Sequence, residues 1–255
     1  MITIKTASDI EKLKEGGKRL SDILSRLEKL VAPGVEVVFL NDEAQRMVEE
    51  YGDESAFLNY TPDGASRPYP SSLCVSINDE IVHGISNEKQ KIIKEGDIVS
   101  LDMGLTHQGL ILDSARSVIA GKGNKQSEIL LRATNEALWE GIYAAVGRSR
   151  VGDIGFAVQR VAKKYNVSVA EDLAGHGVGY EVHEDPYVPN KGKKGTGEQL
   201  LPGMVIAIEP MFCLGKGAIK LDSDGYTYKT VDGKRSAHFE HTILITDGEP
   251  VVLTE

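Results

Sequence analysis

Apolar residues recur every three or four positions from Ala7 to Val31, where Ile10, Leu13, Leu20, Ile23, Leu24, Leu27 and Leu30 share one face of a predicted amphipathic helix. Thr6 and Ser8 are candidate caps at its start, and Pro33-Gly34 stops it. A second helix is predicted from about Phe39 to Tyr51, and a matching pair from about Gln126 to Val146 and from Asp153 to Tyr165. The two pairs look related. Gln45-Arg46 to Tyr51 aligns with Gln159-Arg160 to Tyr165 at an offset of 114, and each helix follows a glycine-bearing turn, Pro33-Gly34 or Val151-Gly152.

Runs with strand character repeat as well. Glu95 to Asp102 superimposes on Pro202 to Glu209 at an offset of 107, each closing an apolar strand with a carboxylate, and Asp113 to Gly121 superimposes on Glu240 to Gly248 at an offset of 127, each opening a strand with one. The offset grows because the connection between the paired strands is longer in the second half, where Lys216 to Arg235 is rich in Gly, Asp and Lys. The pattern predicts an α+β fold in which two helix-helix-strand units, about 1–124 and 125–255, form a single domain, with helices covering one face of a curved, mainly antiparallel sheet. The acids at equivalent places in the two units are expected to converge where the units meet.

Composition narrows the chemistry. The 255 residues are 41% hydrophobic and 26% charged, an ordinary globular balance that makes disorder and fibrous repeats poor readings. A net charge of −9 is the wrong sign for a broad phosphate-binding surface, so direct nucleic acid recognition is not expected. The opening MITIKTASDIEKLKEG lacks the apolar run of a secretion signal, and no stretch approaches the length of a membrane span, which predicts a cytoplasmic protein with no membrane partner. Cys74 and Cys213 form no C-x-x-C pair, which suggests neither a disulfide framework nor a cysteine zinc site. Lys191 to Gly197 reads as a polar loop whose spacing is not that of a P-loop.

Asp102 and Asp113 flank a hairpin whose tip is expected at His107-Gln108-Gly109; pairing about the 107/108 midpoint would set the two acids directly opposite, with a possible bulge at Gly109. Two ionised carboxylates so close repel unless a cation or a shared proton separates them. Glu209 ends an apolar run and Glu240 begins one, and a carboxylate at the buried end of a strand requires a partner. His176, in Ala174-Gly-His-Gly-Val-Gly179, adds a neutral nitrogen among glycines that permit close backbone approach. Four carboxylates and one imidazole suit two adjacent divalent ions roughly 3.5–4 Å apart, able to hold a bridging hydroxide and polarise a carbonyl.

Ser100-Leu-Asp102-Met-Gly, Asp113, Gly175-His176-Gly-Val-Gly, Ile208-Glu209-Pro210-Met211 and Phe239-Glu240-His241-Thr242 together resemble, in order and spacing, the methionine aminopeptidases. The resemblance spans essentially the whole chain. It implies the pseudo-twofold pita-bread fold and a dinuclear centre of Co, Mn, Fe or Zn, with Asp102 bidentate on one ion, Asp113 and Glu240 bridging, and His176 and Glu209 completing the other. His83, in Val82-His83-Gly84-Ile85, and His183, in Val182-His183-Glu184-Asp185-Pro186, match positions that contact substrate near the scissile bond. The expected reaction is attack of a metal-bridging hydroxide on the peptide carbonyl, with Glu209 shuttling the proton toward the leaving amine. His107 is expected to be a turn residue, and His241 should point away from the metals by strand alternation. His238 shares a face with Glu240 and has no assigned role.

The same resemblance places the methionine side chain against Phe57, Tyr60, Tyr69, Cys74, Val182 and Tyr226. Many bacterial members carry Cys, Phe and Trp where this chain has Phe57, Val182 and Tyr226, and its Thr61 to Pro68 segment is longer than usual. Asn78 and Ser236 match positions around a monovalent cation in the family, a pattern equally consistent with turn hydrogen bonds. Only 25 residues separate His183 from Glu209, too few for the helical insertion of type II enzymes, and no zinc-binding extension precedes the chain, so the expectation is type I. The implied substrate is a nascent polypeptide at the ribosome whose initiator methionine precedes a small residue, and the implied state is a monomer. Two rivals are a proline-specific aminopeptidase of the same fold and a non-catalytic peptide-binding module.

Overall fold

Thr6 opens the first helix as a capping box. Its hydroxyl accepts from the Asp9 backbone N–H at 3.2 Å, while the Asp9 carboxylate accepts from the Thr6 N–H at 3.0 Å. The computed structural model describes residues 1–62 and 64–255. Its four long helices are α1 (Ala7–Glu28), α2 (Val37–Tyr51), α3 (Lys125–Ala144) and α4 (Val151–Tyr165). All four predicted helices are present, and α1 stops short of the predicted Val31. The related helices α2 and α4 end alike, with Gly52 at φ 70° and Asn166 at φ 54°, both left-handed caps.

A nine-stranded antiparallel sheet carries the site. Its central strands run in the order Ile98–His107, Leu110–Ile119, Glu240–Leu244, Val205–Ile208, so the two hairpin-bearing units meet between the middle two. At that seam the Asp113 N–H donates to the Thr242 hydroxyl oxygen at 2.9 Å, and the same hydroxyl donates to the Asp113 carbonyl at 2.7 Å. Alternation sorts the side chains by face. Val99, Leu101, Met103 and Leu105 enter a core with Leu13, Leu20 and Leu24 of α1, and Ile206, Ile208 and Ile243 enter a second with Ile154 and Val158 of α4. The helices thus cover one face and leave the opposite one for the acids. Gly17 lets α1 approach closely, since a Cβ there would stand 2.0 Å from the Leu253 carbonyl oxygen.

The structure changes three local expectations. The hairpin loop is the two-residue Gln108-Gly109, with φ of 50° and 78° as a type I′ turn demands, and His107 pairs with Leu110 instead of forming the tip. The pairing therefore moves by two residues. Asp102 faces Ala115, and Asp113 faces Gly104, so the acids share a face on a diagonal rather than standing directly opposite. Nor is His107 only a turn residue. It is 2% exposed, and its Nδ1 lies 2.7 Å from an Asp53 carboxylate oxygen that Arg19 also holds. A further difference is that the Ile98–His107 strand continues beyond Asp102, placing that carboxylate mid-strand.

Candidate metal centre

Register alone brings acids from both units together. Asp102 pairs with Ala115 and Ala115 with Glu240, which puts all three side chains in one row across three strands. Asp113 lies two residues from Ala115 on the same face, and Glu209 follows Ile208, the partner of His241. Ala115 occupies the middle of this row with the smallest side chain that still fixes a strand conformation. Asp102, Asp113 and Glu240 are 6%, 4% and 2% exposed, which removes most of the water that would otherwise solvate their charges.

His176 reaches the same place from the Ala174–Gly177 strand. Its Nδ1 lies 2.9 Å from the Gly177 carbonyl, which only accepts, so the ring proton sits on Nδ1 and the Nε2 lone pair faces the acids. That Nε2 is 3.4 Å from Glu209 Oε1. Ligating atoms of Asp113, His176 and Glu240 lie within 4.8 Å of one another. Asp102 and Glu209 line the same cavity of about 520 Å³.

The electrostatics are those of crowded, desolvated anions. Burial, and then the charge of Asp113, raises Asp102 well above the usual carboxylate range; burial lifts Asp113 to about 7; burial and the neighbouring acids raise Glu209 and Glu240 well above theirs. Among the described residues, the buried side-chain atoms without a hydrogen-bond partner are Asp102 Oδ1, Asp113 Oδ1, Glu240 Oε1 and both ring nitrogens of His238. Orphaned acceptors concentrated in one place fit a divalent cation, because its charge replaces the missing donors.

The accessory histidines stand around this floor. His183 is exposed at the mouth, where the walls still desolvate its ring enough to lower its pKa; its Nδ1 is 2.9 Å from the Tyr60 hydroxyl, and its ring meets that of His176 at 4.5 Å. His83 follows the Glu80–Val82 strand at a left-handed φ of 58°, packs edge-on to Tyr228, and is held near a pKa of about 4 by burial and then by His183. Phe57, Tyr69, Cys74, Val182 and Tyr226 form one buried apolar cluster with Ile85, joined by Tyr60, and all six expected pocket residues line the cavity. Edge-to-face contacts link Phe57 to Tyr69 at 6.5 Å and Tyr69 to Tyr226 at 5.1 Å, and the Tyr226 hydroxyl donates to the Arg67 carbonyl. Of the long Thr61 to Pro68 segment, Asp63 lies outside the described residues.

Not every expected residue joins the cavity. Asn78 and Ser236 sit apart from it, and the Ser236 N–H and hydroxyl both donate to the Asn78 carbonyl, at 2.7 and 2.8 Å. His241 turns away, bonded to Thr254 at 2.9 Å and stacked edge-on against Trp139. Residues that sequence reasoning missed include Ala115 and the pair Lys5–Glu184. Lys5 Nζ lies 2.6 Å from the Glu184 carboxylate, which also accepts the backbone N–H groups of Tyr180 and Glu181 and so fixes the loop that presents His183. No local signal marks Lys5, 179 residues distant from its partner.

Known proteins share this architecture. The model of metallopeptidase family M24 matches residues 11–247. A methionine aminopeptidase of Aquifex aeolicus is 44% identical over 258 residues, covering 100% of this chain and 99% of its own. The crystal structure of a methionine aminopeptidase from Thermotoga maritima superimposes with a TM-score of 0.95 at 40% identity, each chain covered completely. A prolidase from Pyrococcus furiosus shares the fold alone, with a TM-score of 0.75 at 21% identity over 99% of this chain and 65% of its own. The chain therefore belongs to metallopeptidase family M24, as a bacterial-type, type I methionine aminopeptidase of pita-bread fold.

Proposed function

We propose that Asp102, Asp113, His176, Glu209 and Glu240 hold two divalent ions, drawn from Co, Mn, Fe or Zn, and that the enzyme uses them to remove initiator methionine from nascent proteins. One observation carries the reading: buried, partnerless carboxylate oxygens from both units of the fold face the lone pair of a neutral imidazole in a single cavity. Bound ions supply Lewis-acid polarisation of the scissile carbonyl and acidify water near it. These side chains would hold the ions through their carboxylate oxygens and the bare Nε2 of His176.

The remaining steps belong to this chain's own groups. The apolar cluster around Phe57, Tyr69, Cys74, Val182 and Tyr226 receives the flexible thioether and sets the scissile bond above the acids. Glu209, whose high proton affinity follows from burial among other anions, takes a proton from the attacking water and passes it to the departing amine. When Tyr60 donates to His183 Nδ1, the ring proton lies on Nε2, where it can meet the developing oxyanion. His83, neutral and half-buried in the same cavity, steadies the leaving nitrogen.

A small second residue, a cytoplasmic setting near the ribosome and a monomeric enzyme complete the proposal. No helix among the described residues is long and apolar enough to cross a membrane. Chelated enzyme, titrated separately with Mn, Fe, Co and Zn while methionine release from Met-Gly-Met and a Met-Pro peptide is followed, provides the test. Metal-dependent release from Met-Gly-Met supports the reading, whereas release that persists after chelation, or cleavage of the Met-Pro peptide alone, overturns it.

A further inference from the structure

One of the partnerless side chains is not among the expected ligands. His238 is 1% exposed, and neither ring nitrogen has a hydrogen-bond partner, although buried imidazoles ordinarily satisfy at least their N–H. Its backbone is fixed on both sides: the N–H donates to Ser117 Oγ at 2.9 Å, the carbonyl accepts from the same hydroxyl at 2.8 Å, and the residue pairs with Met211 across the strand. The ring therefore has a set position. Its Nε2 lies 3.6 Å from Glu209 Oε2 and 3.7 Å from Glu240 Oε2.

The two carboxylates present their oxygens unequally. Glu209 turns Oε1 toward His176 and Oε2 toward His238, while Glu240 turns Oε2 toward His238 and leaves Oε1 as its partnerless atom. His238 thus stands behind the acids rather than among the atoms that would grip an ion. We propose that His238 is a positioning residue whose Nε2–H, just beyond hydrogen-bond reach of both acids here, closes on Glu209 and Glu240 in the loaded enzyme and holds them so that one oxygen of each is left for the metals. A neutral imidazole has one N–H to offer, and Nε2 is the ring nitrogen nearer both carboxylates. The inference rests on the proposed metal centre. Orientation of ligands by groups behind them typically changes metal affinity by roughly 10- to 100-fold.

Two measurements test it. In wild-type protein loaded with Zn, ring ¹⁵N spectra should show His238 protonated on Nε2; a proton on Nδ1 with a bare Nε2 overturns the proposal, and this readout requires no variant to fold. Calorimetric titration with Co should then show His238→Leu weakened about 10- to 100-fold and His238→Gln, which retains an N–H donor, close to wild type. Equal affinity of His238→Leu and wild type overturns the proposal while leaving the metal centre intact. Failure of wild type itself to bind Co would instead strike at the metal centre, and the inference would fall with it.

Discussion

An imidazole at the mouth of an acid-floored cavity can give a proton through one nitrogen only if something holds the other, and Tyr60 supplies that hold on His183. Replacing His183 with Ala should lower kcat for Met-Gly-Met about 10²- to 10³-fold with KM changed much less, as expected for a group acting mainly on the transition state. Tyr60→Phe should show a smaller loss in the same direction. Steady-state assays of fully metallated protein check both, and a rise in KM with kcat unchanged would remove His183 from the chemical step. Ala115 makes a complementary case. Because it stands between Asp102 and Glu240 in their row, Ala115→Leu should fill the space an ion needs and reduce Co affinity by at least roughly tenfold, while far-UV circular dichroism stays native. Undiminished Co binding in that variant would mean the row does not face the ions. The acids themselves were legible because a carboxylate at the boundary of an apolar strand is costly without a partner. Ala115 and His238 were not, since their roles depend on which strands become neighbours, and a small apolar residue or a lone histidine carries no such local cost.

Elements were legible wherever a period and a stop signal coincided. All four helices appear within a few residues of their expected bounds, and the shared left-handed caps at Gly52 and Asn166 support the inferred duplication. Hairpin register was not, for a definite reason. Gln108 adopts φ 50°, a region that favours Gly, Asn and Asp, so its sequence gives little warning that it will serve as the first residue of a type I′ turn. His107 is drawn from the tip because Asp53, itself held by Arg19, binds it from the side, an interaction 54 residues away in sequence. Strand parity survived the shift of two residues, which is why the acids still share a face. The packing of α1 on the sheet yields a prediction of its own. Gly17→Ala should lower stability by ~1–3 kcal/mol in urea denaturation, since the added methyl meets the Leu253 carbonyl, whereas Gly248→Ala, with open space around it, should stay within about 0.5 kcal/mol. Equal midpoints for the two variants would show that α1 can retreat freely.

At the scale of the whole molecule, burial of so many titratable groups sets how stability responds to pH. In the chelated protein His176 and His238 are held near 3, and His83 and His241 near 4, by burial first, while unfolded imidazoles titrate near ~6.5. The unfolded chain binds more protons there, so this contribution is full above about pH 6.5 and is lost as pH falls toward 3–4. The acids act in the opposite sense. With Asp113 lifted to about 7 and Asp102, Glu209 and Glu240 raised well above their usual values, the folded state binds more protons, and stability present at low pH is lost as pH rises through about 7. In the proposed centre, divalent ions would relieve that repulsion and compete with protons for the same oxygens. Mn at a hundredfold excess over its Kd at pH 8 should stabilise by about 2.7 kcal/mol there, a rise in Tm of roughly 5–10 °C, and the same Mn concentration should give a smaller rise at pH 6. Calorimetric scans of chelated and reloaded protein check this; a shift independent of pH would show that the carboxylates are not what the ions engage.

The reciprocal bond between Asp113 and Thr242 joins one arm of the fold to the other at the very residue that faces the cavity. The proposed ligands come from both arms, so any motion that parts this seam would also separate the side chains meant to share the ions.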